Sequence, residues 1–135
     1  GRTTWMGLVS LPGLFKCGCP FYSGNVFGKI GSPPPPAERL AAIDCPVMGF
    51  FGNDDTNPSP ADVDRLDQLM TELGKEHVFH RYDGTGHAFM GASRDKFREK
   101  SARDAWTKTL HFLSKHIGGG APEVADVFPA EELVG

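Results

Sequence analysis

A short apolar run, an amphipathic helical segment and a second short run constrain the fold of this chain most strongly. Residues 47–51 form a continuous apolar segment between Pro46 and Gly52, as in a parallel strand that is buried on both faces. Apolar side chains then recur at helical spacing over residues 60–73, and residues 76–82 alternate as in a second strand. Because parallel strands need a crossover connection, this order predicts a strand–helix–strand unit of an α/β sheet.

The segments around this unit continue the alternation of helices and strands. Helical spacing predicts a helix over residues 2–11, and the Phe- and Cys-rich segment 14–22 predicts a further buried strand. Tyr22, at the end of that strand, is expected to pack in the core or to line a substrate pocket. A short helix is predicted over residues 37–43 and a long one over residues 96–117. The sequence therefore predicts an α/β fold with three parallel strands alternating with helices.

Two segments lie outside this alternation. Four consecutive prolines at residues 33–36 require an extended backbone, either as a stiff surface connector or as a ligand for a proline-binding module. The connector is the simpler interpretation, because this single run lacks flanking specificity residues. Residues 118–135 are acidic and interrupted by proline, which predicts a C-terminal tail that docks or stays mobile. The domain itself is expected to cover residues 1–117.

Composition and charge argue against several kinds of partner. The net charge of −3 and the scattered Lys and Arg residues provide no basic patch for nucleic acid. No apolar run approaches the ~20 residues of a membrane-spanning helix. The three cysteines are expected to be reduced, buried thiols of a cytoplasmic protein. A zinc site formed by Cys17, Cys19 and a His is the alternative, although no second ligand pair at zinc-site spacing accompanies them.

The most informative chemistry lies directly behind the two strands of the strand–helix–strand unit. His87 follows residues 76–82, at the edge where parallel sheets place their sites. A His that acts as a general base needs a carboxylate to orient it, and Asp54 and Asp55 follow residues 47–51. Glycines beside the His are expected to turn the backbone tightly and leave the imidazole unobstructed: Gly84 and Gly86.

These segments resemble the carboxyl-terminal half of the dienelactone hydrolase family, within the α/β-hydrolase superfamily. The resemblance covers residues 1–117 and depends on the order, spacing and strand-end placement of three short motifs. It implies the carboxyl-terminal part of an α/β-hydrolase fold. The matching motifs are Cys45-Pro46-Val47, Gly52-x-x-Asp55 followed by Pro58 and Pro60, and Gly86-His87-Ala88-Phe89.

The resemblance implies a catalytic triad in which a Cys or Ser nucleophile, an Asp and a His follow in chain order. Asp55 corresponds to the acid because it stands third after Gly52, which leaves Asp54 as a turn residue. His87 corresponds to the base. The implied activity is hydrolysis of a small-molecule ester or lactone without a metal or organic cofactor. A carboxylate-bearing lactone is less expected, because the family places an Arg shortly after the His and the nearest one here is Arg94.

The nucleophile of the implied triad has no counterpart in the chain. No Gly-x-Cys/Ser-x-Gly elbow precedes Asp55, and residues 1–4 resemble the start of the helix that follows such an elbow. We therefore expect a nucleophile upstream of this chain and little turnover by the chain alone. Ser10, Ser23 and Cys19 are the in-chain candidates to test, and Ser23 is the best placed of them.

A second interpretation is a non-catalytic α/β module that binds partners and keeps Asp55 and His87 as relics. In either interpretation, three strands without further neighbours leave an apolar sheet edge open. Self-association through that edge is therefore expected.

Overall fold

The computed structural model describes residues 1–119, in which helices and short strands alternate. The predicted tail therefore lies outside the described residues from residue 120 onward. No helix among the described residues combines the length and the apolar character needed to cross a membrane. The elements are α1 (Arg2–Ser10), β1 (Val47–Gly52), α2 (Pro60–Glu72), β2 (His77–Tyr82) and α3 (Glu99–Ile117).

The strand–helix–strand unit forms as predicted. β1 and β2 pair in parallel in an unbroken register from Val47 opposite His77 to Gly52 opposite Tyr82. The start of α2 is fixed by a capping box in which the Ser59 hydroxyl accepts from the N–H of Asp62 and the Asp62 carboxylate accepts from the N–H of Ser59. Because both strands run in the same direction, the loops that follow them leave the sheet at the same edge.

The predicted first strand pairs over a shorter stretch than expected. The N–H groups of Gly18 and Tyr22 donate to carbonyls of the β1 segment at 2.9 and 2.8 Å, but Pro20 between them has no N–H to donate. The pairing is therefore two isolated parallel bridges rather than a continuous ladder. The start of the predicted strand is wrong, since Leu14 is 64% exposed and Phe15 is 38% exposed. This strand is an edge with no neighbour on its other side among the described residues, and self-association through it stays a prediction.

Two further boundaries differ from the expectation. The segment predicted as one short helix, residues 37–43, contains two 3₁₀ turns, Pro36–Glu38 and Leu40–Ala42. The last helix begins at Glu99 rather than at residue 96. Its start is delayed because Arg98 is extended (φ −125°, ψ 97°) and its N–H donates to the carbonyl of Phe89 at 3.2 Å. That bond ties the start of α3 to the loop after β2.

The buried side chains form two clusters on opposite sides of the sheet. The first lies between β1, α1, α2 and the 3₁₀ turns, and Trp5, Leu40 and Met70 are among its fully buried members. The second lies between β1, α3 and the loop after β2. Its buried members are Phe50, Phe89, Ala102 and Ala105, with Phe21, Tyr22, Met48, Tyr82, Met90 and Phe97 packed against them.

Candidate functional site

The loops after β1 and β2 bring Asp55 and His87 together. His87 Nδ1 lies 2.8 Å from Asp55 Oδ2, so the ring and the carboxylate share a hydrogen bond. The Asp55 side chain is 3% exposed, whereas that of His87 is 49% exposed. Among the described residues, Asp55 is the one hydrogen-bond partner of the His87 ring. A buried carboxylate that holds one ring nitrogen and leaves the other open is the arrangement of an oriented general base.

The loop after β1 presents Asp55, and not Asp54, to the imidazole. The second oxygen of the Asp55 carboxylate accepts from the N–H of Asn57 at 2.9 Å, which fixes the carboxylate from the opposite side. Asp54 is exposed, and its own N–H donates to the carbonyl of Thr85 at 3.0 Å. The Asp54 backbone therefore ties the two loops together, while Asp55 makes the contact with the ring. The catalytic roles of Asp55 and His87 stay predictions at this point.

The two loops approach so closely that a glycine is required at the end of β1. A Cβ placed on Gly52 would lie 2.1 Å from the carbonyl oxygen of Thr85 and 2.9 Å from that of Gly86. Sequence reasoning did not identify this contact. It expected two flanking glycines to make the turn after β2, but the left-handed positions are Gly84 (φ +64°) and Ala88 (φ +61°). Gly86 has open space around it and is not left-handed.

Aromatic rings anchor the loop after β2 next to His87. Phe89 is fully buried, and its ring centroid lies 5.5 Å from those of both Tyr22 and Tyr82. Tyr22 also lies 5.2 Å from the imidazole of His87. The expectation that Tyr22 packs in the core is therefore supported. Its role in lining a substrate pocket stays a prediction.

The in-chain candidates for a nucleophile are not hydrogen-bonded to His87. Ser10 lies at the last turn of α1 and accepts from Arg39 Nη1 at 3.2 Å. Ser23 is buried, and its hydroxyl has no hydrogen-bond partner among the described residues. Cys19 is only half-buried and lies on the edge strand. None of the three therefore completes a nucleophile–base pair with His87.

The three cysteines are free thiols, and they are half-buried rather than buried as predicted. Two of them lie on the edge strand, where the open side leaves them less covered than a central strand would. Within residues 1–119, no three His, Cys, Asp or Glu side chains form a group able to hold a metal ion. The zinc alternative built on Cys17 and Cys19 therefore has no support in the described part of the chain.

We expect Cys19 to be alkylated slowly by iodoacetamide. Burial, with a smaller effect of the nearby Cys17 thiolate, raises the pKa of Cys19 to about 12. A raised pKa favours the neutral thiol, so only ~10⁻⁴ of Cys19 is the reactive thiolate at pH 8. The rate, read by intact mass and peptide mapping, should rise about tenfold per pH unit up to that pKa. The same chain in urea is the control, and rapid alkylation of folded Cys19 at pH 7 would contradict this prediction.

Comparison with known proteins connects this geometry to one family. The sequence profile of the Dienelactone hydrolase family matches residues 1–117. A Salmonella typhimurium protein named provisionally as a carboxymethylenebutenolidase is 28% identical over 120 residues, covering 87% of this chain and 44% of that protein. One of the same provisional name from Methylorubrum extorquens is 31% identical over 118 residues, covering 86% of this chain and 40% of that protein. The chain thus spans less than half the length of these relatives.

A solved structure extends the comparison to the fold. The crystal structure of a protein described as a candidate dienelactone hydrolase from Klebsiella pneumoniae superposes with a TM-score of 0.77 at 25% identity. The match covers 84% of this chain and 48% of the Klebsiella chain. The predicted class, part of an α/β-hydrolase fold, is confirmed.

Proposed function

The chain belongs to the dienelactone hydrolase family, and from this membership we propose that it supplies the acid and the base of a carboxylic ester or lactone hydrolase. Asp55 is the acid and His87 the base of a triad whose Cys or Ser nucleophile lies outside this chain. The substrate is a small-molecule ester or lactone, and the chain alone turns over little of it. The hydrogen bond of 2.8 Å between His87 and buried Asp55 is the observation that carries the proposal.

His87 acts through the nitrogen that faces away from Asp55. With the Nδ1 proton donated to Asp55 Oδ2, Nε2 carries the lone pair and takes the proton of the nucleophile as it attacks the ester carbonyl. The Asp55 carboxylate, which is fixed by the N–H of Asn57, stabilises the imidazolium that forms. The imidazolium then returns its proton to the leaving alcohol. A water molecule repeats the same steps on the acyl-enzyme and regenerates the nucleophile.

Three observations support a nucleophile outside the chain. The sequence has no Gly-x-Cys/Ser-x-Gly elbow, and the three in-chain candidates make no hydrogen bond to His87 among the described residues. The relatives are more than twice as long as the matched segment.

The proposal also includes a cytoplasmic location, which the three free thiols support because reduced cysteines are typical of that compartment.

The absence of a nucleophile beside His87 among the described residues also favours a second candidate function. In that candidate, the chain is a non-catalytic α/β module that binds partners, and the Asp55–His87 pair is a relic. The two candidates differ in what happens when the rest of a family protein is restored. We define the extended protein as this chain with one segment of the Klebsiella pneumoniae relative joined before Gly1. That segment is the part of the relative that precedes the region matched by this chain.

Activity-based labelling tests the proposed function. The isolated chain and the extended protein are treated with fluorophosphonate and chloroacetamide probes and analysed by intact mass. We expect no adduct that depends on His87 on the isolated chain and one such adduct on the extended protein, mapped to the added segment, together with hydrolysis of p-nitrophenyl acetate. A folded extended protein that is neither labelled nor active would favour the partner-binding module. An adduct on Ser10, Ser23 or Cys19 of the isolated chain that is lost in His87→Ala would contradict the external nucleophile.

A further inference from the structure

Tyr22 has a strained backbone at the point where the edge strand ends. Its φ is +36°, on the left-handed side that side chains other than glycine rarely adopt. Such a conformation persists only where the surrounding structure enforces it. The strain lies beside His87, so we asked which contacts enforce it and what they achieve.

The neighbours of Tyr22 fix its backbone on both sides. The N–H of Tyr22 donates to the carbonyl of Phe50 at 2.8 Å, and the ring of Phe21 stacks on that of Phe50 at 4.6 Å. The next residue, Ser23, is 1% exposed. Phe21 and Ser23 are both held by the core. The left-handed conformation of Tyr22, which lies between them in the chain, places its ring beside His87.

The ring of Tyr22 lies between an exposed side chain and a buried one. Its centroid is 5.2 Å from the His87 imidazole, with the planes tilted by 59°. It is also 5.5 Å from the buried ring of Phe89 in an edge-to-face arrangement. Phe89 is thus a fixed support behind Tyr22, and Tyr22 is a support for His87.

His87 needs such a support because its hydrogen bond fixes one atom of the ring only. The contact of Nδ1 with Asp55 leaves the ring free to tilt about that bond, and half of the side chain faces solvent. The position of Nε2 depends on that tilt. A general base loses much of its effect when its reacting atom is misplaced by about 1 Å.

We propose that Tyr22 is a positioning residue for His87, whose ring holds the imidazole in the orientation that keeps Nδ1 on Asp55. The importance of this orientation for catalysis rests on the proposed function. The ring carries the effect and the hydroxyl does not, since no hydrogen bond of the Tyr22 hydroxyl occurs among the described residues. Burial raises the pKa of Tyr22, so the phenol stays neutral at working pH.

The test uses NMR of the isolated chain with ¹⁵N-labelled histidine, which needs no activity. In Tyr22→Leu, exchange of the His87 Nδ1 proton with water should become about tenfold faster. Loss of one aromatic contact destabilises the bonded orientation of the ring by roughly this factor. The ring ¹⁵N shifts should move toward a mixture of tautomers. Tyr22→Phe should keep both the slow exchange and the shifts of the unchanged chain.

Tyr82→Leu is the matched control. Tyr82 packs on Phe89 at the same distance as Tyr22 does, but it has no ring contact with His87. Positioning by Tyr22 is overturned if Tyr22→Leu leaves the Nδ1 exchange unchanged, or if Tyr82→Leu speeds it equally. If the extended protein proves inactive while Tyr22→Leu still frees the His87 ring, the proposed function fails and the positioning contact stands.

Discussion

His87→Ala in the extended protein is expected to lower kcat for ester hydrolysis by about 10⁴-fold or more, since removal of one member of a triad costs roughly 10⁴ to 10⁶ in kcat. Without the imidazole, nothing takes the proton of the nucleophile during attack. Asp55→Asn should lower kcat to a similar extent, because an amide in place of the buried carboxylate favours the wrong tautomer of His87. Initial rates with p-nitrophenyl acetate over a range of substrate concentrations separate kcat from KM, and the loss should lie in kcat.

Asp54→Asn is the matched control for Asp55→Asn. The two carboxylates are adjacent in sequence, yet the Asp55 side chain is 3% exposed and bonded to His87 while Asp54 is exposed. We expect Asp54→Asn to change kcat by less than about threefold, as for a surface side chain outside the triad. Equal losses from both Asn variants would contradict the assignment of the acid. Full activity of His87→Ala would contradict the assignment of the base.

That the loops after β1 and β2 meet could be predicted from strand direction, whereas the choice of Asp55 over Asp54 came from the family resemblance. The apolar run 47–51 and the capped helix after it identify two parallel strands, and parallel strands bring their following loops to one edge. Whichever residues begin those loops must then lie near each other. The hydrogen bond between Asp55 and His87 also needs the local loop contacts. The N–H of Asn57 fixes the Asp55 carboxylate, and the N–H of Asp54 holds the carbonyl of Thr85.

Features that depend on side-chain neighbours were harder to predict. The proline at position 20 removes one donor from the pairing with β1, and that pairing begins only at Gly18, which leaves Leu14 and Phe15 outside the edge strand and exposed. Both effects depend on which segments pair, so the hydrophobic pattern of residues 14–22 did not reveal them. The signal that was available was Pro20 itself, since prolines within sheets are confined to edges and bulges.

Backbone conformation at the site was the least predictable feature. Glycine spacing indicated a tight turn after β2, but Ala88 takes one of the left-handed positions and Gly86 does not. Tyr22 is left-handed although a tyrosine there gives no such signal. Conversely, Gly52 is required for space rather than for its φ, which becomes visible only when the loop after β2 is in place.

Gly52→Ala is therefore expected to affect both folding and the site. The added methyl group would overlap the carbonyl of Thr85, a backbone group held by the hydrogen bond from Asp54, so the loop after β2 must move. Overpacking of this kind costs about 3 kcal/mol of the free energy of unfolding, and more where backbone must shift. Displacement of the loop also separates His87 from Asp55. Urea unfolding of the isolated chain measures the first effect, and the exchange of the His87 Nδ1 proton measures the second.

Gly86→Ala distinguishes a steric requirement at Gly52 from a general intolerance of side chains in these loops. Gly86 belongs to the same contact, but a Cβ there meets nothing within 4 Å, and its backbone is not left-handed. The free energy of unfolding of the Gly86→Ala variant should differ from that of the unchanged chain by less than about 0.5 kcal/mol, as for an unstrained surface substitution. Similar destabilisation by both substitutions would mean that the two loops need glycine flexibility throughout. If Gly52→Ala leaves the free energy of unfolding unchanged, the carbonyl of Thr85 must lie farther from a Cβ at position 52 than the 2.1 Å found here.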